Sequence, residues 1–227
     1  MSNTSKSCYI ISGVTGAVGS NLASLFISKG YTVVGITRKK PSFKDKKLLT
    51  GIKWLVYDYS DNNIGLENKL KKITTGLKVI GVYQCAGKHH RDYPLNHSAG
   101  DFLHLLKANL ISTINIVSSS INLLHKNSSI VILNSQASIK NADDEIGYGV
   151  AKAALSKYIE SMQFEATKRK IQIINILCGA IQTNMVAYRD DYKKFIKIKD
   201  LVNFLYSLSE VGDSIRINNL EILRRNY

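Results

Sequence analysis

The chain has 227 residues, 44% of them hydrophobic and 21% charged, which suits one folded domain with an ample core and excludes a disordered chain. Its 31 basic against 17 acidic residues leave a net charge of +14, which suggests an anionic partner; the cations are scattered and accompany no nucleic-acid-binding motif, which argues against nucleic acid. No apolar run reaches the roughly 20 residues of a membrane helix, Met1 to Lys6 has no signal-peptide layout, and Cys8, Cys85 and Cys178 lie far apart in apolar contexts, so a cytoplasmic protein with free thiols, no membrane contact and no metal is expected.

In chain order, the apolar run Cys8-Tyr9-Ile10-Ile11-Ser12 predicts a strand and ends in Gly13-Val14-Thr15-Gly16-Ala17-Val18-Gly19. Beyond it Leu22, Ala23, Leu25, Phe26 and Ile27 recur at helical spacing. Strand, glycine turn and helix together predict a dinucleotide site. The glycines let the backbone turn sharply and let a pyrophosphate approach the N–H groups of the helix start, where the dipole favours negative charge. Tyr31 to Thr37 predicts a second strand, closing on Arg38-Lys39-Lys40. An acid at this strand end would hold the adenosine ribose of NAD; the cations that stand there instead point to the extra phosphate of NADP(H).

Ile52 to Tyr57 predicts a third strand, followed by Asp58, and Val79 to Tyr83 a fourth, followed by Gln84-Cys85-Ala86-Gly87, with a helix over Ile64 to Ile73 between them. Asp101 to Leu124 predicts a long helix with Asn109 in its middle, where an amide is unfavourable unless it has a specific partner. Ile130 to Leu133 is the fifth strand, ending at Asn134-Ser135; Tyr148 to Thr167 is a helix; Ile171 to Leu177 is the sixth strand, ending at Cys178-Gly179. An irregular basic stretch, Ala180 to Lys199, reads as a short substrate lid, and a helix from Asp200 to Ser209 and a last strand from Ser214 to Asn218 follow. Pro41 and Pro94 fall in predicted loops. Alternating strands and helices, with strands apolar on both faces, predict an α/β fold. It would be a doubly wound parallel sheet, a Rossmann fold of about seven strands with helices on both faces, spanning 1–227 as one domain.

Tyr148 and Lys152 stand one helical turn apart on one face. A free tyrosine titrates near about 10, so acid/base work at neutral pH needs about 4 kcal/mol in favour of the phenolate. A cation about 5 Å away supplies roughly 3 kcal/mol at an effective dielectric of about 20. The spacing therefore predicts that Lys152 depresses the Tyr148 pKa and makes it a proton donor and acceptor.

Together these residues resemble the short-chain dehydrogenase/reductase family over almost the whole chain. Ser12 to Gly19 is similar to its cofactor glycine motif. Asp58, with Tyr59 beside it, sits where the family contacts adenine. Gln84-Cys85-Ala86-Gly87 keeps the Ala-Gly half of an Asn-Asn-Ala-Gly element. Asn109, Ser135, Tyr148 and Lys152 match the catalytic tetrad, with the usual 13-residue step from Ser135 to Tyr148. Cys178-Gly179-Ala180-Ile181-Gln182-Thr183 resembles a Pro-Gly-x-x-x-Thr segment that grips the nicotinamide end, with Cys178 for the proline.

The resemblance implies an NADP(H) site made by Gly13, Thr15, Gly16, Ala17, Val18, Gly19, Arg38, Lys39, Asp58, Tyr59, Cys85, Ala86, Gly87, Tyr148, Lys152, Gly179, Ile181 and Thr183. It implies hydride delivery to a small-molecule carbonyl, or removal from an alcohol, with Tyr148 protonating the oxygen and Ser135 donating a hydrogen bond to it. Lys152 would hold the nicotinamide ribose, and Asn109 would anchor a water that relays protons to Lys152. A homodimer or homotetramer through the helices at 101–124 and 148–167 is implied as well. The substrate is less defined. His89, His90 and Arg91 follow the fourth strand, and Tyr188, Arg189 and Tyr192 sit in the lid, where they could meet an anionic or sugar-like substrate. The glycine spacing Gly13, Gly16, Gly19 is commoner in the family's sugar-nucleotide branch, which keeps a sugar or nucleotide-sugar ketoreductase or epimerase open. A catalytically silent NADP(H)-sensing protein is the other alternative.

Overall fold

The computed structural model describes residues 6–42, 50–91, 98–140 and 144–225. Met1 to Ser5 and Pro94, which entered the sequence reading, lie outside the described residues. The strands are β1 (Ser7–Ser12), β2 (Thr32–Thr37), β3 (Lys53–Val56), β4 (Lys78–Gln84), β5 (Leu124–Leu133), β6 (Gln172–Cys178) and β7 (Asn219–Ile222). They form one sheet in the order β3-β2-β1-β4-β5-β6-β7, and every neighbouring pair is parallel. The chain starts in the middle of the sheet, works outward through β2 and β3, then crosses back to β4 and works outward the other way. That reversal leaves a crevice at the carboxyl ends of β1 and β4, the place where such sheets bind ligands.

The helices are α1 (Ala17–Ser28), α2 (Leu66–Ile73), α3 (Ala99–Leu106), α4 (Ser112–Ser120), α5 (Ile146–Arg169) and α6 (Ile198–Ser207). Period-two alternation divides the strand side chains between two cores. Cys8 and Ile10 of β1 join Val34, Ile130 and Ile132 in packing against Leu66 and Leu70 of α2, Ile116 of α4 and Leu155 and Ile159 of α5. Tyr9 and Ile11 face the other way, onto Leu22 and Phe26 of α1 and Leu201 and Leu205 of α6. The edge strands β3 and β7 carry exposed residues along their length, whereas the interior strands β4 and β5 are exposed only at their amino-terminal ends.

Several boundaries differ from the sequence reading; β5 starts at Leu124 and not at Ile130, and α5 starts at Ile146 and not at Tyr148. The helix predicted over Asp101 to Leu124 begins earlier, under a capping box in which Ser98 and Asp101 satisfy each other's backbone N–H groups. It ends at Ser120, because Leu124 is already paired with Val79 in the sheet. Between α3 and α4 it widens into a π-helical turn, Lys107–Ile111, centred on Asn109. The last strand is not Ser214 to Asn218 but β7. Arg216 turns aside to bond Gln163 and Thr167 at the end of α5, and the ladder with β6 starts only at Asn175↔Asn219.

Candidate active site

The carboxyl ends of β1, β4, β5 and β6 open onto a cleft of about 990 Å³, within the range of roughly 300–1,000 Å³ expected of a ligand site. One end of it is the turn after β1. Gly13 has φ 66°, and a Cβ there would lie 2.7 Å from the Ala86 backbone N, so only glycine lets the β1 and β4 exits close together. A Cβ on Gly19 would run into the carbonyl oxygen of Gly13, so Gly19 sets the approach of α1 to the turn. Gly16 caps α1 with no side-chain hydrogen bond, and the first turn carries no acidic residue. The N–H groups and the positive dipole end are thus left for an anion. Arg38 and Lys39, at the end of β2, line the same end of the cleft with Thr15, Ala17 and Val18.

The other end holds Ser135, Tyr148 and Lys152. Ser135 ends β5 and caps a short 3-10 turn, its Oγ accepting from Ala137 N at 3.1 Å. Its side chain lies close enough to Tyr148 to draw the phenol's pKa downward. Lys152, one turn along α5, is 4% exposed and donates from Nζ to the Leu133 carbonyl at 3.3 Å, with Nζ 5.7 Å from the Tyr148 ring centre. Asn109 faces them from the π turn, a deviation that often marks functional sites. Its amide is fully engaged. Nδ2 donates to the Lys88 and Leu105 carbonyls at 2.9 and 3.0 Å, and Oδ1 accepts from Lys88 N at 3.2 Å. Asn109 therefore fixes the chain that leaves β4, which is the specific partner that the mid-helix amide required.

The predicted depression of Tyr148 is corrected by the structure. Burial pushes Tyr148 up to about 12, and Ser135 only partly opposes it. Burial also pulls Lys152 down to about 8. The Coulomb argument from the i,i+4 spacing left out desolvation, which penalises the charged form of both groups and is the largest cause of each shift. At neutral pH the phenol keeps its proton.

Of the residues singled out in the sequence, Gly13, Thr15, Gly16, Ala17, Val18, Arg38, Lys39, Tyr59, Cys85, Ala86, Gly87, Asn109, Ser135, Tyr148, Lys152, Gly179, Ile181 and Thr183 all line this one cleft. Gly19 and Asp58 do not. Gly19 lies behind the turn, and the Asp58 carboxylate is turned onto Ser60, accepting from its N at 3.0 Å and its Oγ at 2.7 Å. Ser60 lines the cleft in its place. Gln84, where the family resemblance expects asparagine, points inward, accepting from Ser12 Oγ and donating to Thr113 Oγ1 at 3.1 Å. Among the substrate candidates, His89, Arg189 and Tyr192 line the cleft, whereas Arg91 is ion-paired with Asp144 and stacks over Tyr188 at 5.5 Å. His90 is exposed outside the lining.

Sequence reasoning missed Glu145 and Gln136. Glu145 Oε1 lies 2.8 Å from His89 Nε2, and the His89 ring meets the Tyr148 ring edge-on at 5.0 Å. The hydrogen bond from His89 holds the Glu145 carboxyl below the usual carboxylate range. It directly precedes α5, which starts at Ile146 and not at Tyr148 as the sequence reading had it, so the available signal was an acid near a helix start.

A doubly wound sheet with a glycine turn, a Ser-Tyr-Lys group and a shared cleft defines a dinucleotide-dependent oxidoreductase architecture. The model of the short-chain dehydrogenase family matches residues 7–194, and the chain belongs to that family of oxidoreductases. It is 23% identical over 191 residues to carbonyl reductase family member 4 of Danio rerio, covering 78% of this chain and 77% of that protein. Among solved structures, an NADH-dependent reductase, A1-R', responsible for alginate metabolism superposes with a TM-score of 0.80 at 15% identity, over 97% of this chain and 98% of that one. A short-chain dehydrogenase from Burkholderia cenocepacia in complex with NADP does so with a TM-score of 0.78 at 15% identity, over 96% and 88%. No helix among the described residues is long and apolar enough to cross a membrane.

Proposed function

We propose that this chain is an NADPH-dependent reductase that converts the carbonyl of a small molecule to an alcohol, with Tyr148 as the general acid. The observation that carries the reading is that Ser135, Tyr148 and Lys152 line the same cleft as the uncapped α1 start and Arg38 and Lys39. The residues present fit the cofactor. The Gly13 turn admits a pyrophosphate against backbone N–H groups, and the cations after β2 suit a ribose phosphate. When bound, the reduced nicotinamide supplies the hydride.

The chain's own residues do the rest. Ser135 and Tyr148 both present hydroxyls to the carbonyl oxygen and stabilise charge as it develops there. Tyr148, held protonated at about 12, then gives its proton to an alkoxide that is a far stronger base. The raised value favours the reducing direction, because oxidation needs the phenolate. Lys152 and Asn109 hold the floor of the site, and Lys152 brings the positive charge that anchors ribose hydroxyls. Leu103, Val150 and Phe164, exposed along α3 and α5, support a homo-oligomer formed through these helices.

The test is NADPH oxidation by the purified protein with a panel of ketones and keto-sugars. Tyr148→Phe should lower kcat about 10²–10⁴-fold, the usual worth of a general acid, while NADPH binding stays within a few-fold. Turnover by wild type on no member of the panel, with NADPH bound, would favour a cofactor-sensing protein.

A further inference from the structure

The reaction end of the cleft carries a polar pair that the Ser-Tyr-Lys chemistry does not use. His89 comes from the loop after β4 and Glu145 from the residue before α5, 56 positions apart, and they meet at 2.8 Å with side chains only 9% and 14% exposed. The pair sits against the Tyr148 ring, and both members line the cleft. Glu145 accepts the hydrogen bond, so His89 Nε2 is the donor. Two neighbouring arginines are ion-paired as well, Arg91 with Asp144 and Arg189 with Asp191 at 3.2 Å, a carboxylate shared with Arg224, while Lys88 and Lys140 also line the cleft. One residue from Ser135, the Gln136 amide donates to Leu177 O at 3.0 Å and to Glu221 at 3.2 Å, but its buried Oε1 has no hydrogen-bond partner among the described residues.

We infer that His89 and Glu145 are specificity-determining residues that select an oxygen-rich, polyhydroxylated carbonyl substrate over an alkyl or aryl ketone and over an oxo-acid. The inference rests on the reductase reading above and names its substrate class. An apolar substituent placed against this wall would strip solvent from a hydrogen-bonded pair and return no bond, which is the costly outcome for buried polar groups. A hydroxyl both donates to the carboxylate and accepts from the imidazole. A site built to bond a substrate hydroxyl rejects the analogue lacking it far more strongly than an apolar pocket rejects an added one. An anionic substrate finds no unpaired arginine on this wall, and Glu145 repels it.

The experiment compares erythrulose, 2-heptanone and 2-oxobutyrate as substrates of the full chain with NADPH. Wild type is expected to show kcat/KM for erythrulose about 10²-fold or more above the other two. The double variant His89→Leu/Glu145→Leu, which leaves no lone buried charge, should lower that preference at least about tenfold, through KM for erythrulose and a gain on 2-heptanone. His89→Gln, which keeps a donor, should restore most of it. An unchanged NADPH dissociation constant by fluorescence shows that the variants are folded. Wild type that reduces 2-heptanone or 2-oxobutyrate as well as erythrulose, or a double variant with an unchanged ratio, overturns the inference and leaves the reductase reading standing. No NADPH oxidation with any of the three overturns the reductase reading and this inference with it.

Discussion

The two ends of the cleft are made of different material. At the β1 turn the ligand surface is backbone. Gly13 and Gly16 expose main-chain groups, Gly19 lets the helix close up behind them, and no side chain caps α1. At the Tyr148 end the surface is side chains drawn from separate places: Ser135 from β5, Lys152 from α5, His89 from the β4 exit, and Arg189 from the segment between β6 and α6. A backbone site serves a ligand part that never changes, whereas a side-chain site can be altered one residue at a time without touching the other end. The contrast predicts that substitutions at the two ends fail differently.

The largest effect belongs to the reaction end. In the proposed reaction Ser135→Ala removes an oxyanion donor, so kcat should fall about 10²–10³-fold. The NADPH dissociation constant should hardly move. A comparable loss in cofactor affinity would break the division between the ends.

Gly19→Ala acts on the other side of the division. Its Cβ meets the Gly13 carbonyl, a backbone atom that cannot swing away, and overpacking of this kind costs about 1–3 kcal/mol. A lowered melting temperature should come with weaker dinucleotide binding, since the same shift opens the turn. Smaller still, Arg38→Ala with Lys39→Ala should weaken NADPH about tenfold, the worth of one or two charge-assisted hydrogen bonds, and leave NADH nearly unchanged. Equal loss for both cofactors would place the ribose phosphate elsewhere.

The same contrast explains what was legible in the sequence. The glycine turn is contiguous, and its partners, an apolar strand before and a 3.6-period helix after, are local signals; the parallel sheet follows from their alternation. Asn109 was legible as an amide in the wrong place, but its partner, the Lys88 backbone, was not, because a π turn leaves no trace in apolar spacing. His89 and Glu145 were two ordinary polar residues in two loops until the fold brought them together. The Tyr148–Lys152 spacing was read correctly and its energetics were not, since burial is a property of the assembled core. The last strand was misplaced because Ser214 to Asn218 has a good alternating pattern, while the edge position is decided by where Arg216 is held.

Burial of Lys152 gives the most direct check on the side-chain end. Its folded value of about 8 lies below the usual 10.5, so between these the unfolded chain binds a proton that the folded one has lost. Stability from this group therefore rises with pH across that window, and the burial penalty is fully present below about 8. Cys8, Cys85 and Cys178, pushed up from 9 to about 12, work in the opposite sense from about pH 9 upward, so the raw melting curve is a mixture. Comparing wild type with Lys152→Met cancels Cys8 and Cys85, and Cys178→Ala in both backgrounds removes the one thiol that Lys152 influences. The methionine variant should melt higher than wild type at pH 7, and the gap should narrow steadily as pH rises from 8 toward 10.5. A gap that stays constant would mean that the ammonium is solvated, and the reaction end would then be as open to water as the cofactor end.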